Sequence, residues 1–319
     1  MDKINIVVLD ASTLGSDIDF KVFESFGKVE VYDRTDERQI RFRIMDADVI
    51  IANKIKLNSK TLAGAKRLKL ICVTATGYDN VDLSYCRMCG IAVSNVRGYS
   101  TESVAQITAS MALALVNHIN IYDRYVKDYS YTKSGVENHL EPVFHEMSSL
   151  TWGIVGLGEI GERVANIAES FGCRVLAFKR RPDPIFECVP LDELCRRADI
   201  ISIHLPLTPQ TRNIVNDEMI SYMKPSAVVI NAARGAVTDE TALANAISEG
   251  RLGGLGIDVY SEEPMRATSP YVQIMDKPNV IFTPHMAWGA YEARVRCMNE
   301  IVMNIEAFLR GRRRNRVDI

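Results

Sequence analysis

Arg234, Glu263 and His285 each stand a few residues after an apolar run. Arg234 lies in Asn231-Ala232-Ala233-Arg234-Gly235, after Ala227–Ile230. Glu263 lies in Asp258-Val259-Tyr260-Ser261-Glu262-Glu263-Pro264, after Gly254–Ile257. His285 closes Thr283-Pro284-His285, after the run that begins at Val280. Short apolar runs bounded in this way read as buried strands, so all three groups project from strand ends. An arginine fork fits a carboxylate and a carbonyl oxygen. A histidine can deliver a proton near neutral pH, and a glutamate within reach would hold its ring and favour the imidazolium. Together they could grip a carboxylate, polarise the neighbouring carbonyl and protonate it during reduction. Taken singly, each has an ordinary reading: Arg234 as a turn cap, His285 as a loop histidine, Glu263 as a solvated acid.

Reduction needs a hydride, and the chain carries a motif that suits its carrier. Val155-Gly156-Leu157-Gly158-Glu159-Ile160-Gly161 follows the apolar run Leu150 to Val155 and precedes Glu162 to Phe171, with Val164, Ile167, Ala168 and Phe171 on one helical face. Gly172 ends that helix and Arg174 to Phe178 reads as the next strand. Strand, G-x-G-x-x-G turn, helix and strand form the context of a dinucleotide fingerprint. Gly156 allows the tight turn, Gly158 lets a pyrophosphate approach the backbone, and Gly161 lets the helix pack close. The helix N-terminus adds unpaired N–H groups. At the end of the second strand an NAD site carries an acid for the ribose hydroxyls. Here Lys179 stands there, 23 residues after Gly156, followed by Arg180 and Arg181. Three cations suit a 2′-phosphate and so predict NADP as the preferred cofactor, with NAD possible; the plainer alternative is a solvated basic strand end.

Elements that could position these groups alternate along the whole chain. Strands are expected at Ile4–Leu9, Val29–Tyr32, Val49–Ala52, Leu70–Thr74 and Ile91–Ser94, with helices around Asp19–Phe26, Glu37–Arg43, Ser59–Ala63 and Asp82–Cys89. A second series runs Trp152–Val155, Val175–Phe178, Asp199–His204, Ala227–Ile230, Gly254–Ile257 and Val280–Thr283. Such alternation predicts two α/β domains with doubly wound parallel sheets, and ligands outside the carboxyl ends of the strands. Between the series, Ser100 is expected to cap a long helix reaching about Lys127, with Val104, Ile107, Ala112, Leu115 and Ile119 mostly buried. The polar stretch Asp128 to Ser149 reads as an arm against a partner subunit or a mobile loop. Tyr291 to Arg310 is amphipathic and is expected to return to the first domain, ending in the basic run Arg310-Gly311-Arg312-Arg313-Arg314-Asn315-Arg316, read as a solvated tail.

Composition narrows the class. With 319 residues, 47% hydrophobic and 24% charged, the chain can fill two cores, and a formal charge of −2 gives no reason to expect nucleic acid or an anionic membrane as a partner. No apolar run reaches a membrane span, and Met1-Asp2-Lys3 leads straight into a strand rather than a signal peptide. Seven scattered cysteines point to a reducing cytoplasm. Cys86-Arg87-Met88-Cys89 has no second pair and no nearby His, so it reads as two helical cysteines rather than a metal or redox site.

Over nearly its whole length the chain resembles the D-isomer-specific 2-hydroxyacid dehydrogenases. The resemblance rests on Gly156-x-Gly158-x-x-Gly161, Val229 to Gly235, Asp258-Val259 with Glu262-Glu263-Pro264, and Thr283-Pro284-His285-Met286-Ala287-Trp288 with Glu292-Ala293-Arg294. It implies a Rossmann-type cofactor domain, 101–287, inserted in a flavodoxin-like substrate domain, 1–100 and 288–319. It implies that Arg234, Glu263 and His285 form a catalytic triad, with no metal required. Backbone N–H groups of Thr76 and Gly77 would hold the substrate carboxylate, and Asn53 would line the same pocket. Asp258 would bind the nicotinamide carboxamide, with Leu205, Pro206, Thr211 and Ala232 along the cofactor beside Gly156, Gly158, Glu159, Ile160 and Gly161. Relatives are typically homodimers, so a homodimer is expected. Ala75 to Asp82 and Arg97-Gly98-Tyr99-Ser100 look closest to glycerate dehydrogenases (hydroxypyruvate reductases), which implies hydroxypyruvate or glyoxylate as substrate. The alternatives are an NAD(P)-sensing, corepressor-like binding protein and a dehydrogenase for a bulkier 2-oxo acid.

Overall fold

The computed structural model describes residues 3–319; Met1 and Asp2, and with them part of the expected Met1-Asp2-Lys3 lead-in, lie outside the described residues. The chain forms two compact units, one running up to Ser100 and resuming from Gly289 to Ile319, the other spanning Thr101–Trp288.

The first unit is built on five parallel strands: β1 (Ile4–Val8), β2 (Gly27–Val31), β3 (Val49–Ala52), β4 (Leu70–Val73) and β5 (Ala92–Ser94). Their order is β2-β1-β3-β4-β5, the flavodoxin-like arrangement, and it reverses between β1 and β3. β3 and β4 are buried along their whole length, which is why both read as continuous apolar runs. Two expected helices fail here. Asp19–Phe26 yields only a 3₁₀ turn, Phe20–Phe23, because β2 already begins at Gly27, where a side chain would collide with the Ile4 backbone. Ser59–Ala63 stays a set of turns: the Asn58 side chain accepts from Lys60 N (2.9 Å) and Thr61 N (3.2 Å), and the one helical bond, from Leu62 N to Asn58 O (2.9 Å), is not continued.

The Tyr291–Leu309 helix packs against β4. The basic tail after it is not simply solvated, as expected, but clips the free edge of β5. Asn95 N donates to Asn315 O (3.1 Å), Val317 N donates to Val93 O (3.0 Å), and Val93 N donates to the Asp318 carboxylate (2.8 Å). Arg314 pairs with Glu300 and Arg316 with Asp318, so two of the arginines hold the clip in place.

The second unit holds seven parallel strands: β6 (Thr151–Val155), β7 (Arg174–Phe178), β8 (Glu187–Cys188), β9 (Ile200–Ile203), β10 (Val228–Asn231), β11 (Gly254–Ile257) and β12 (Val280–Phe282). The order β12-β11-β10-β9-β6-β7-β8 is the Rossmann order with its reversal between β6 and β9. Separate apolar clusters cover its two faces. β8 has only two residues, too few for a pattern, and was not expected. The long helix breaks into Thr101–Val116 and Ile119–Lys127, bent by 60° at His118, whose φ is 51°. That left-handed residue restarts the helical face, so Ile119 is exposed, against expectation, while Val104, Ala112 and Leu115 are buried. Phe171, past the end of the Glu159–Ser170 helix, is likewise exposed rather than on the buried face. The 128–149 stretch contains a short helix, Ser130–Ser134. Among the described residues no single helix is long and apolar enough to cross a membrane.

Candidate active site

β6 ends at Val155 and the chain turns at Gly156, whose φ of 103° an L side chain rarely adopts; its N–H bonds Phe178 O at 3.0 Å. A Cβ on Gly161 would collide with the carbonyl oxygen of Gly156, so only glycine lets the helix start so close to the turn. At Gly158 a Cβ would meet nothing within 4 Å. This open space faces the start of the Glu159–Ser170 helix, whose first helical bond runs from Glu162 N to Gly158 O (2.8 Å). The amides of Glu159, Ile160 and Gly161 therefore lie ahead of the helical ladder, as a pyrophosphate site requires. The glycines and these amides fit a dinucleotide.

On the rim, Lys179 does not stand alone. Its Nζ lies 2.8 Å from Asp183 Oδ2. The Asp183 carboxylate also accepts from Ile185 N (3.0 Å) and Phe186 N (3.4 Å), and the lysine above all holds it below the usual carboxylate range. The one acid between β7 and β8's first residue is thus committed to its own loop. Arg180 and Arg181 are exposed and have no ion-pair partner among the described residues. Beyond β9, Leu205 packs over Gly156, and Thr211 Oγ1 donates to Pro206 O (2.6 Å), closing the turn that begins there.

The other reactive groups sit on the ends of β10, β11 and β12. Asn231, fully buried, donates from Nδ2 to Arg234 O (3.0 Å) and accepts at Oδ1 from Ala233 N (3.0 Å), which shapes the turn through Ala232. Arg234 is half-buried, with Nη1 donating to Ala233 O (2.7 Å). Gly235 then lies against the backbone of Tyr260 and Ser261, where any side chain would collide. That contact brings the Arg234 turn to the loop carrying Glu263.

Asp258, 1% exposed, organises the His285 loop: its carboxylate accepts from Thr283 Oγ1 (2.6 Å), Met286 N (2.8 Å) and Ala287 N (3.0 Å). Burial pushes its pKa up, and these donors oppose the shift. His285 is held with φ at 52°, a conformation that costs of order 1–3 kcal/mol in a non-glycine residue. Its N–H bonds Asp258 O (2.8 Å), and Trp288 Nε1 donates to its carbonyl (2.8 Å). The result is a distance of 2.6 Å between His285 Nδ1 and Glu263 Oε2. A carboxylate only accepts, so Nδ1 carries the hydrogen in this bond and Nε2 is the nitrogen able to pass a proton onward. Glu263 is itself steadied by Tyr260 N at 3.2 Å, and Tyr260 OH donates to Thr283 O at 3.0 Å. Sequence reasoning passed over Tyr260, Asn231 and Trp288 as individual residues; nothing in their spacing marks them, since each acts by bonding a turn.

In the first unit, Asn53 is buried, its N–H bonding Asp10 Oδ1 (2.9 Å) and its Nδ2 donating to Thr13 Oγ1 (3.0 Å). Thr76 Oγ1 donates to Val96 O (2.9 Å), and Asn95 Nδ2 donates to Thr76 O (2.7 Å). The amides of Thr76 and Gly77 bond no group among the described residues. Asp10 was not anticipated, although a carboxylate directly after Val7-Val8-Leu9 was a usable signal. Among the described residues no cluster of three or more His, Cys, Asp or Glu could hold a metal.

Comparison with known proteins bears on this arrangement. The family described as D-isomer specific 2-hydroxyacid dehydrogenase, NAD binding domain, matches residues 109–287. A hydroxypyruvate reductase of Blautia hydrogenotrophica is 34% identical over 317 residues, 97% of this chain and 98% of the relative. A glycerate dehydrogenase of Methylorubrum extorquens is 34% identical over 314 residues, covering 98% of each. Among solved structures, an acyclic imino acid reductase in complex with NADPH and D-arginine superposes with a TM-score of 0.87 at 28% identity, covering 98% of this chain and 100% of that one.

Proposed function

This chain belongs to the D-isomer-specific 2-hydroxyacid dehydrogenase family, and on that premise we propose that it reduces a small 2-oxo acid, hydroxypyruvate or glyoxylate, with NADPH preferred to NADH. The observation that carries the proposal is the 2.6 Å bond between Glu263 and His285 beside the Arg234 turn. In this reading Arg234 binds the carboxylate and polarises the carbonyl oxygen. Glu263 fixes the ring, and His285 Nε2 gives its proton to that oxygen. The bound dihydronicotinamide supplies the hydride. Asp258 and the Leu205–Thr211 turn would hold it, and in the first unit the amides of Thr76 and Gly77, with Asn53, would take the substrate carboxylate.

The NADPH preference is supported by Lys179, Arg180 and Arg181 and by the engagement of Asp183, the one acid of the 179–186 loop, with Lys179. A homodimer is proposed from the exposed apolar side chains Val126, Tyr129, Val136, Leu140, Val143 and Phe144 in one stretch of chain. A reducing cytoplasm suits the seven free cysteines. The test is consumption of NADPH and NADH with glyoxylate, hydroxypyruvate, pyruvate and larger 2-oxo acids. Activity with the two small acids and higher kcat/KM for NADPH supports the proposal; equal or better efficiency with NADH defeats the cofactor assignment alone.

A further inference from the structure

A second histidine stands at the crevice where the seven-stranded sheet reverses. His204 follows β9, its N–H bonds Val155 O at 2.8 Å, and its carbonyl carbon lies 3.0 Å from the place a Gly156 Cβ would take. It is therefore adjacent to the glycine turn. On the same face of β9, two residues back, Ser202 is fully buried. Trp152 Nε1, also fully buried, lies 3.0 Å from Ser202 Oγ, and His204 Nε2 lies 2.9 Å from the same oxygen.

The directions of these bonds follow from what each group can do. An indole nitrogen only donates, so Ser202 Oγ accepts from Trp152. The Ser202 hydroxyl proton then has a single acceptor within reach among the described residues, His204 Nε2. Nε2 is consequently bare, and a neutral ring must carry its hydrogen on Nδ1. An imidazolium would place a hydrogen on Nε2 as well and leave the buried hydroxyl proton with no acceptor. Burial acts in the same direction, pushing the pKa down to about 3. Nδ1 has no partner among the described residues, and the residue is partly exposed, unlike Ser202 and Trp152. The ring thus presents one oriented N–H beside the glycine turn.

We propose that His204 is a dinucleotide-binding residue that donates Nδ1–H to an oxygen of the pyrophosphate–ribose segment, and that Trp152 and Ser202 are positioning residues that fix its tautomer. The inference rests on the dinucleotide reading of this unit, not on the choice of substrate or of NADPH over NADH. A neutral donor suits a site whose charge is already met by the helix N-terminus, because it adds direction without adding a second buried charge.

The test uses full-length protein labelled with ¹⁵N-histidine, the His204 signals being those absent from His204→Gln. The free protein should show Nδ1 protonated and Nε2 bare, and NADPH and NADH should each shift the Nδ1–H signal. Ser202→Ala should move the ring towards the Nε2–H tautomer and weaken both dinucleotides roughly three- to tenfold, the worth of one neutral hydrogen bond, while Ser202→Thr restores both readouts. His204→Leu should weaken binding by a similar factor, read by quenching of protein fluorescence. A bare Nδ1 in the free protein, or a dinucleotide that binds without disturbing Nδ1, overturns the proposal alone. Failure of NADPH and NADH to bind the unaltered protein overturns the dinucleotide reading and this proposal together.

Discussion

In the seven-stranded sheet, the crevice between β6 and β9 opens onto Gly156, Gly158 and Gly161, and a side chain at Gly158 would touch nothing within 4 Å. In the five-stranded sheet, the corresponding crevice between β1 and β3 is filled from within. The buried Asp10 carboxylate accepts from Asn53 N (2.9 Å), Lys54 N (2.7 Å) and Ile55 N (3.3 Å), which are the first amides after β3. β6 leads into a twelve-residue helix that presents unpaired amides, whereas β1 leads into a four-residue 3₁₀ turn, Ala11–Leu14. One topology therefore yields a ligand site or an internal brace according to whether glycine or a carboxylate follows its first strand. The fold sets the place, and the residue there decides what occupies it.

If the proton-transfer chemistry belongs to the dinucleotide unit, the largest effect should come from His285→Ala. Turnover with every 2-oxo acid should fall roughly 10²–10⁴-fold while NADPH affinity, measured by fluorescence titration, stays within about twofold. Arg234→Lys keeps the charge but loses the fork, and steady-state kinetics should show a loss of comparable order. The brace predicts the converse. Asp10→Ala leaves three amides without their acceptor and should lower the unfolding free energy by about 1–3 kcal/mol in urea titrations, with dinucleotide affinity unchanged. A matching loss of NADPH affinity in that variant would break the comparison.

A smaller effect concerns the rim. Lys179→Asp combined with Arg180→Ala should cut the ratio of kcat/KM for NADPH over NADH by about tenfold for each charge-assisted bond removed, leaving turnover at saturation nearly unaltered. The smallest is a pH effect. Burial pushes the His204 pKa down to about 3, below the 6.5 of a free side chain, so the unfolded chain binds the extra proton between them. The stability owed to its neutral form is complete above about pH 6.5 and drains away as pH falls towards 3. His204→Gln should flatten that part of the stability–pH curve, read by urea titrations at a series of pH values.

How far the sequence foretold this depends on whether a residue acts locally. Gly156, Gly158 and Gly161 act within one turn, and their flanking strand and helix were readable from hydrophobic spacing. Buried strands such as Gly254–Ile257 announce themselves because both faces are covered. Long-range bonding carries no such mark. Asp10 reaches across 43 residues to Asn53, and the tail from Asn315 to Asp318 is ordered by β5, so a basic run looked solvated when two of its arginines are paired. The break at His118 was equally hidden, since apolar spacing continues through it while a single left-handed residue redirects the chain. Lys179 was legible as a missing acid, but its partner Asp183, four residues on, was not read as one.

Hydride delivery to a 2-oxo acid, with His285 supplying the proton, can be followed by isotope transfer. The unaltered protein is incubated with NADPH carrying deuterium at both C4 positions and with glyoxylate, hydroxypyruvate or pyruvate, and the product is examined by NMR and chiral chromatography. Deuterium should appear at C2 of the 2-hydroxy acid, with a single D enantiomer where C2 carries a stereocentre without the label, and His285→Ala should form the same product orders of magnitude more slowly. Product without deuterium at C2, or equal rates in the two proteins, would contradict it.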